Sequence, residues 1–268
     1  MSVLLHISDP HFGTEQPKVA EALVALARQQ RPNLVVLSGD ITQRARAVQF
    51  QAARAFMERL GAPFVAIPGN HDIPLFDVWT RLRCPYARHT AAFGHALEPI
   101  YSSSDLFVAG VNTTRPWRHK HGEVSAQQID RVVQLLTETT PEQLRVVVVH
   151  QPVAVTHAED ASNRLRGHAA ALKRWAEAGA DLVLGGHIHL PYVLALAGLA
   201  RPLWAVQAGT AVSSRLRSGI PNSVNLLRWG TDSTLGRCRI EQWDFSSAAH
   251  AFVRVSVSDI RPGQSQSV

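Results

Sequence analysis

The chain has 268 residues, 46% hydrophobic and 18% charged, which is enough apolar material for a substantial core and excludes disorder as the default state. Its 27 Lys and Arg against 21 Asp and Glu give a formal net charge of +6, but the arginines are scattered from Arg28 to Arg261, so a basic surface is favoured over a dedicated nucleic-acid patch. Two cysteines, Cys84 and Cys238, are too few for a disulfide framework and point to a reducing cytoplasm; no run of ~20 apolar residues is present to span a membrane, and no signal-peptide pattern opens the chain.

Residues 3–7 form a short apolar run that reads as a buried strand. Val19, Ala22, Leu23 and Leu26 then recur at helical spacing, and residues 34–37 form a second strand running into Ser38-Gly39-Asp40. A second helix is expected to bury Val48, Ala52, Ala55, Phe56 and Leu60 and to stop at Gly61. A third strand, residues 64–67, delivers Pro68-Gly69-Asn70-His71-Asp72. Strand, helix, strand, helix, strand is the pattern of a parallel α/β sheet, whose ligand crevice lies outside the carboxyl ends of its strands.

Further along, residues 106–111 read as a strand, 125–136 as a helix with Ser125 as its N-cap, 145–149 as a strand ending at His150, and 181–184 as a strand ending in Gly185-Gly186-His187-Ile188-His189. From Leu203 the texture changes to short strands, 203–207, 224–229, 237–243 and 252–257, for which antiparallel hairpins are expected. No repeat or linker interrupts residues 1–258, which read as one domain, with a disordered polar tail over 259–268. Trp117, Trp175, Trp204, Trp229 and Trp243 fall on separate elements and read as packing anchors.

Singly, the polar strand ends say little: Asp9-Pro10-His11 is compatible with a turn, and a lone His150 with an ordinary hydrogen-bonded histidine. Their recurrence at successive strand ends changes the reading, because carboxylates, an amide and imidazoles then converge on one crevice. Buried together, Asp9 and Asp40 repel each other unless a cation is present. Carboxylate oxygens and neutral imidazoles are ligands that first-row divalent metals favour, and no Cys joins the set as a structural zinc site would require. Glycines before Asp40, Asn70 and His187 let the backbone approach closely or adopt positive φ.

These blocks, in this order, resemble the calcineurin-like metallophosphoesterase family over roughly residues 3–212. The resemblance implies an α/β four-layer αββα sandwich, two mixed β-sheets flanked by helices, with a dinuclear metal site at the strand C-terminal ends. It implies one metal held by Asp9, His11 and His189, a second by Asn70, His150 and His187, and Asp40 bridging them, the ions being Mn, Fe or Zn. It further implies hydrolysis of a small phosphoester, by attack of a metal-bridging hydroxide, with His71 as the catalytic proton donor and Asp72 orienting its ring.

The block Gly39-Asp40-Ile41-Thr42-Gln43 and the stretch from Gly122 to Ile129 are similar to the bacterial cyclic-nucleotide phosphodiesterase-like branch. That branch often has His-His-Pro where this chain has His150-Gln151-Pro152. A phosphodiester of the small nucleotide or glycerophosphodiester type is the expected substrate, with a DNA nuclease or a phosphomonoesterase on the same site as alternatives. Nucleic acid is not favoured as a partner, and no membrane partner is expected. A metal-free scaffold is disfavoured because every expected ligand is kept. His119 and His121 are candidate wall residues, Arg44 and Arg46 candidate phosphate contacts, and Arg215 and Arg217 flank a loop bordering the site.

Overall fold

Side-chain alternation along the strands decides how the layers stack. The computed structural model describes residues 2–230 and 236–263. In strand β1 (Ser2–Ile7) Val3, Leu5 and Ile7 point to one side and Leu4 to the other; in β2 (Leu34–Leu37) Val35 and Leu37 oppose Leu34 and Val36. Both faces are therefore apolar, and both are covered. The outer face packs on helices α1 (Pro17–Gln30) and α2 (Ala47–Arg59), through Leu23, Leu26, Phe50 and Phe56 among others. The inner face packs on a second sheet.

The first sheet has the order β12-β11-β10-β1-β2-β3, where β3 is Phe64–Ala66, β10 Ser223–Trp229, β11 Cys238–Ser246 and β12 Ala251–Ile260. β1, β2 and β3 are parallel, and β10 returns antiparallel beside β1. The second sheet has the order β4-β5-β6-β7-β9-β8: β4 is Ile100–Ser102, β5 Leu106–Gly110, β6 Leu144–Val148, β7 Leu182–Gly185, β8 Tyr192–Ala195 and β9 Trp204–Gln207. Its inner residues, such as Val146, Val148 and Leu184, meet Leu4, Val36 and Ile67 of the first sheet. Its outer residues, such as Val147 and Val183, meet α5 (Ala126–Thr137) and α6 (His168–Glu177), with Trp175 fully buried among them. Helix, sheet, sheet and helix are the expected four layers, and both sheets mix parallel and antiparallel pairs.

Several expectations need correction. α2 buries Phe50, Ala53, Phe56, Met57 and Leu60, whereas Val48, Ala52 and Ala55 are exposed. The face is set by the bulky Phe50 and Met57, because small alanines add little area to a stripe. β9 is not a hairpin strand of the C-terminal region; it lies between β7 and β8, parallel to β7. Residues 259 and 260 belong to β12, where Asp259 pairs with Arg239 and Ile260 is buried; the tail from residue 264 lies outside the described residues. Two short helices, α3 (Val78–Arg83) and α4 (Ala87–Phe93), lack a periodic stripe and were not legible, nor were α6, β4 and β8.

His89 on α4 shows what the packing demands of a polar side chain. It is buried against Phe50 and Phe93, with ring centroids 6.0 and 5.5 Å away, and neither ring nitrogen has a hydrogen-bond partner. Burial holds its pKa down at about 4. The folded state therefore resists a proton that the unfolded chain accepts, so this contribution is complete above about pH 6.5 and is lost as pH falls towards 4. We expect His89→Phe to flatten the acid side of the stability curve, read as a smaller drop in urea midpoint between neutral and mildly acidic pH than in the parent protein.

Candidate active site

The polar strand ends of both sheets meet in one crevice. Asp9 and His11 follow β1, Asp40 follows β2, Asn70 and His71 follow β3, His150 follows β6, and His187 and His189 follow β7. The loops are stitched together by backbone bonds: Asp9 N–H donates to Gly39 O at 3.1 Å, His11 N–H to Asp40 O at 3.1 Å, and Gly186 N–H to His150 O at 2.9 Å. Two glycines make the close approach feasible. A Cβ at Gly69 would overlap the Asp40 backbone and carboxylate, and one at Gly186 would overlap Ser8 Oγ and the Asp9 carboxylate.

Five non-glycine residues of the crevice hold left-handed backbone: Asp9 (φ 51°), His11 (42°), Asp40 (48°), His187 (75°) and His189 (57°). Such conformations cost about 1–3 kcal/mol each and persist where the surroundings over-determine them. Here they turn each side chain back toward a common centre.

At that centre acceptors face acceptors. Asp9 Oδ1 lies 3.2 Å from His189 Nε2 and 3.7 Å from His11 Nε2, and the two Nε2 atoms are 3.3 Å apart. His150 Nε2 lies 3.2 Å from Asp40 Oδ1 and 3.2 Å from Asn70 Oδ1. Two rings have their other nitrogen engaged: His150 Nδ1–H donates to Ser38 O and His189 Nδ1–H to Arg215 O, both at 2.8 Å. A neutral ring so held presents a bare Nε2 to the crevice, as in metal sites whose histidines are oriented by a backbone carbonyl. Asp9 Oδ1 and both ring nitrogens of His187 are buried without a hydrogen bond.

Three groups bring ligand atoms within 4.8 Å of one another: Asp9 with His11 and His189, Asp40 with His150 and His187, and His11 with Asp40 and His71. The first group has the three residues expected around one cation; the second joins His150 and His187 with Asp40 and lacks Asn70, whose Oδ1 lies 3.2 Å from His150 Nε2. This donor set fits two cations.

Electrostatics sharpen the same point. Burial opposes ionisation of Asp9 and Asp40, yet His189 beside Asp9 and His150 beside Asp40 hold both carboxyls well below the usual range. Burial also opposes charge on His150, but Asp40 overrides it and pushes the ring up to about 9. Burial holds His11 and His187 down at about 3.

His71 sits at the rim. Its Nδ1–H donates to Gln43 O at 3.1 Å, and Arg215 Nη1 lies 3.2 Å from its Nε2 and 2.9 Å from Gln43 Oε1. Asp72 does not orient this ring, contrary to expectation. Its carboxylate accepts from the N–H groups of Ile41 (3.0 Å), Thr42 (2.8 Å) and Gly69 (2.8 Å) and from Thr42 Oγ1 (2.8 Å), so it ties the Asp40 and Asn70 loops together. Burial and then the neighbouring Asp40 push it up to about 7.

A cavity of about 190 Å³ lies over this floor, with His119, Lys120 and Arg215 as walls; His121 does not line it. Arg217 is engaged by Asp160 at 2.9 Å and Glu159 at 2.7 Å, so it braces a loop. Gln151 is buried; its Oε1 accepts from Thr113 Oγ1 at 2.6 Å, and its amide donates to Lys120 O at 3.4 Å. The residue at which the chain departs from His-His-Pro thus anchors the loop that carries His119 and Lys120. Arg215, expected only to flank a loop bordering the site, reaches His71 across 144 residues of sequence, which is why no local pattern gave it that partner.

The family model for calcineurin-like phosphoesterases matches residues 2–191. Over 175 residues the chain is 27% identical to a probable cyclic nucleotide phosphodiesterase of Synechococcus sp., covering 65% of this chain and 64% of that protein. Over 95 residues it is 37% identical to the glycerophosphodiester phosphodiesterase GpdQ of Enterobacter lignolyticus, covering 31% of this chain and 34% of that protein. The match thus spans less than two thirds of the length of either relative. A dimetal phosphatase from Danio rerio shares the fold, with a TM-score of 0.70 at 16% identity, covering 98% of this chain and 99% of that one. With the sequence blocks, the four layers and the matched model in agreement, the chain belongs to the calcineurin-like phosphoesterase family.

Proposed function

We propose that the protein is a metal-dependent phosphodiesterase acting on small nucleotide or glycerophosphodiester substrates. The observation that carries this reading is the buried convergence of Asp9, Asp40 and four inward-facing imidazoles whose acceptor atoms point at one another. Asp9, His11 and His189 would hold one metal ion and Asn70, His150 and His187 a second, with the Asp40 carboxylate shared between the two sets; Mn, Fe and Zn all suit such mixed oxygen and nitrogen donors. Ions bound there supply Lewis acidity for the phosphoryl oxygens and a nucleophile at neutral pH. Free Cys84 and Cys238 accord with a reducing cytoplasm.

His71 and Arg215 stand together at the leaving-group side. With Nδ1–H kept on Gln43 O, the ring in its doubly protonated form gives the Nε2 proton to the departing ester oxygen and returns to neutral, and the Arg215 guanidinium, held also by Gln43 Oε1, offsets the charge that builds up on that oxygen. Asn70 contributes a neutral carbonyl oxygen, which limits the negative charge an incoming phosphate meets.

Preference for diesters rests on the shape of the crevice. A phosphodiester carries two ester arms on one phosphorus, and two further depressions, the larger one open to solvent, share lining residues with the central cavity. Beside His71 lies one of about 70 Å³, lined by Gln43, Arg44, Ile73 and Leu75. Beside His187 and His189 lies one of about 280 Å³, lined by Lys120, Asp160, Asn163 and Arg217. A monoester fills only one. The names of the Synechococcus and Enterobacter relatives accord with this reading.

A turnover screen on the metal-reconstituted protein tests it: bis-p-nitrophenyl phosphate should be cleaved with a higher kcat/KM than p-nitrophenyl phosphate, and the opposite order would sink the diester assignment. Asp40→Ala should remove metal, measured by elemental analysis, together with activity. His71→Ala should keep the metal and lower kcat by about 10²–10⁴-fold, most for poor leaving groups; full activity on such substrates would refute the proton-donor role.

A further inference from the structure

Beside the crevice the chain exposes large apolar side chains that its own core leaves uncovered. α3 buries none of its six residues. Trp79 and Leu82 are three residues apart and Val78 and Leu82 four, so they lie side by side along the helix surface, and all three are exposed. Phe76 precedes the helix, and Arg81 ties it to the loop bearing Trp117 by donating to Pro74 O and Arg118 O, both at 3.0 Å. Phe76, Trp79, Leu82 and Trp117 are 79, 67, 74 and 73% exposed. Trp117 is therefore not the packing anchor its sequence context suggested.

This patch is also basic. The Arg83 guanidinium lies 4.0 Å from the Trp79 ring centroid and that of Arg44 lies 5.6 Å from the Phe76 ring. The nearby acids are already engaged: Asp77 by Arg88 at 2.8 Å and Glu123 by Arg118 at 2.6 Å. Among the described residues, Arg44, Arg83 and Lys120 have no carboxylate partner.

We propose that this aromatic and basic rim docks the protein on an anionic lipid surface. Exposed Trp and Phe suit the zone between headgroups and acyl chains, and unpaired arginines suit headgroup phosphates. Charge decides against a second copy as occupant, since a twofold contact would set Arg83 and Arg44 of each copy against those of the other. The docking is peripheral: among the described residues no helix is long and apolar enough to cross a membrane. It leaves the α3 face, not the crevice floor, in contact with lipid.

The test is sedimentation of the full chain with vesicles of phosphatidylcholine alone and of phosphatidylcholine mixed with phosphatidylglycerol. Binding should appear with the mixed vesicles and weaken with added salt. Trp79→Ala combined with Leu82→Ala should lower partitioning about tenfold or more while leaving the melting curve unchanged, because both side chains are exposed in the parent fold. Arg83→Glu, a surface charge reversal, should lower it independently should the double variant fold poorly. The proposal is overturned if the parent protein stays in the supernatant with mixed vesicles or if the variants sediment as it does. It is equally overturned by a concentration-dependent dimer that the double variant abolishes, which would assign the surface to a second copy.

Discussion

Two carboxylates buried in the junction of two sheets are the constraint on which the rest of this structure depends. Removing an ionised carboxylate from water costs several kcal/mol unless it is paired. Asp9 and Asp40 are both fully or almost fully buried, and their neighbours are imidazoles rather than Lys or Arg. In the absence of another cation, balance requires protons on rings such as His150, whose affinity for a proton is raised for that reason. Metal ions would meet the same demand without protons, taking these acceptor atoms as ligands and offering positive charge to a phosphate. The chemistry and the stability of the site are thus one electrostatic problem.

Holding the arrangement requires backbone that a relaxed loop would avoid. Left-handed φ at Asp9, His11, Asp40, His187 and His189 is strained for residues with a Cβ, and the strain is offset by the bonds that lash the loops to one another. Asp72 belongs to this scaffold rather than to proton transfer, since its two oxygens take donors from both the Asp40 and Asn70 loops. His6, buried beneath them, contacts Ser38 Oγ through Nε2 at 2.9 Å and so supports the same turn from the inner face of β1. The strands beneath are stiff because both of their faces are packed.

The walls of the crevice belong to a different part of the chain from its floor. They come from the loop bearing His119 and Lys120 and from the segment bearing Arg215, neither of which ends a parallel strand at the floor. Gln151 links the two levels: it directly follows His150 and holds the Lys120 backbone. The exposed rim of α3 adjoins this outer level as well, through Arg44 and Leu75, which line the smaller side chamber.

The strand-end blocks were legible in the sequence because each is short, local and placed by hydrophobic runs of unmistakable length. The strand pattern placed these blocks at the carboxyl edge of an α/β sheet, and the family resemblance they carry supplied the four layers, the seven candidate ligands and His71. What local pattern could not supply was anything set by contacts between distant segments. The buried face of α2 followed the bulk of Phe50 and Met57 rather than the smaller alanines, and β9 paired directly with β7, although β8 separates them in sequence. Arg215 reached His71, Gln43 O displaced Asp72 as the group orienting that ring, and Trp117 was left in solvent. Periodicity and motif order are properties of neighbouring residues, so the sequence by itself determined the floor of the site and its chemistry. The walls, the ring orientations and the exposed rim depend on which remote surfaces pack together, and only the tertiary structure decided them.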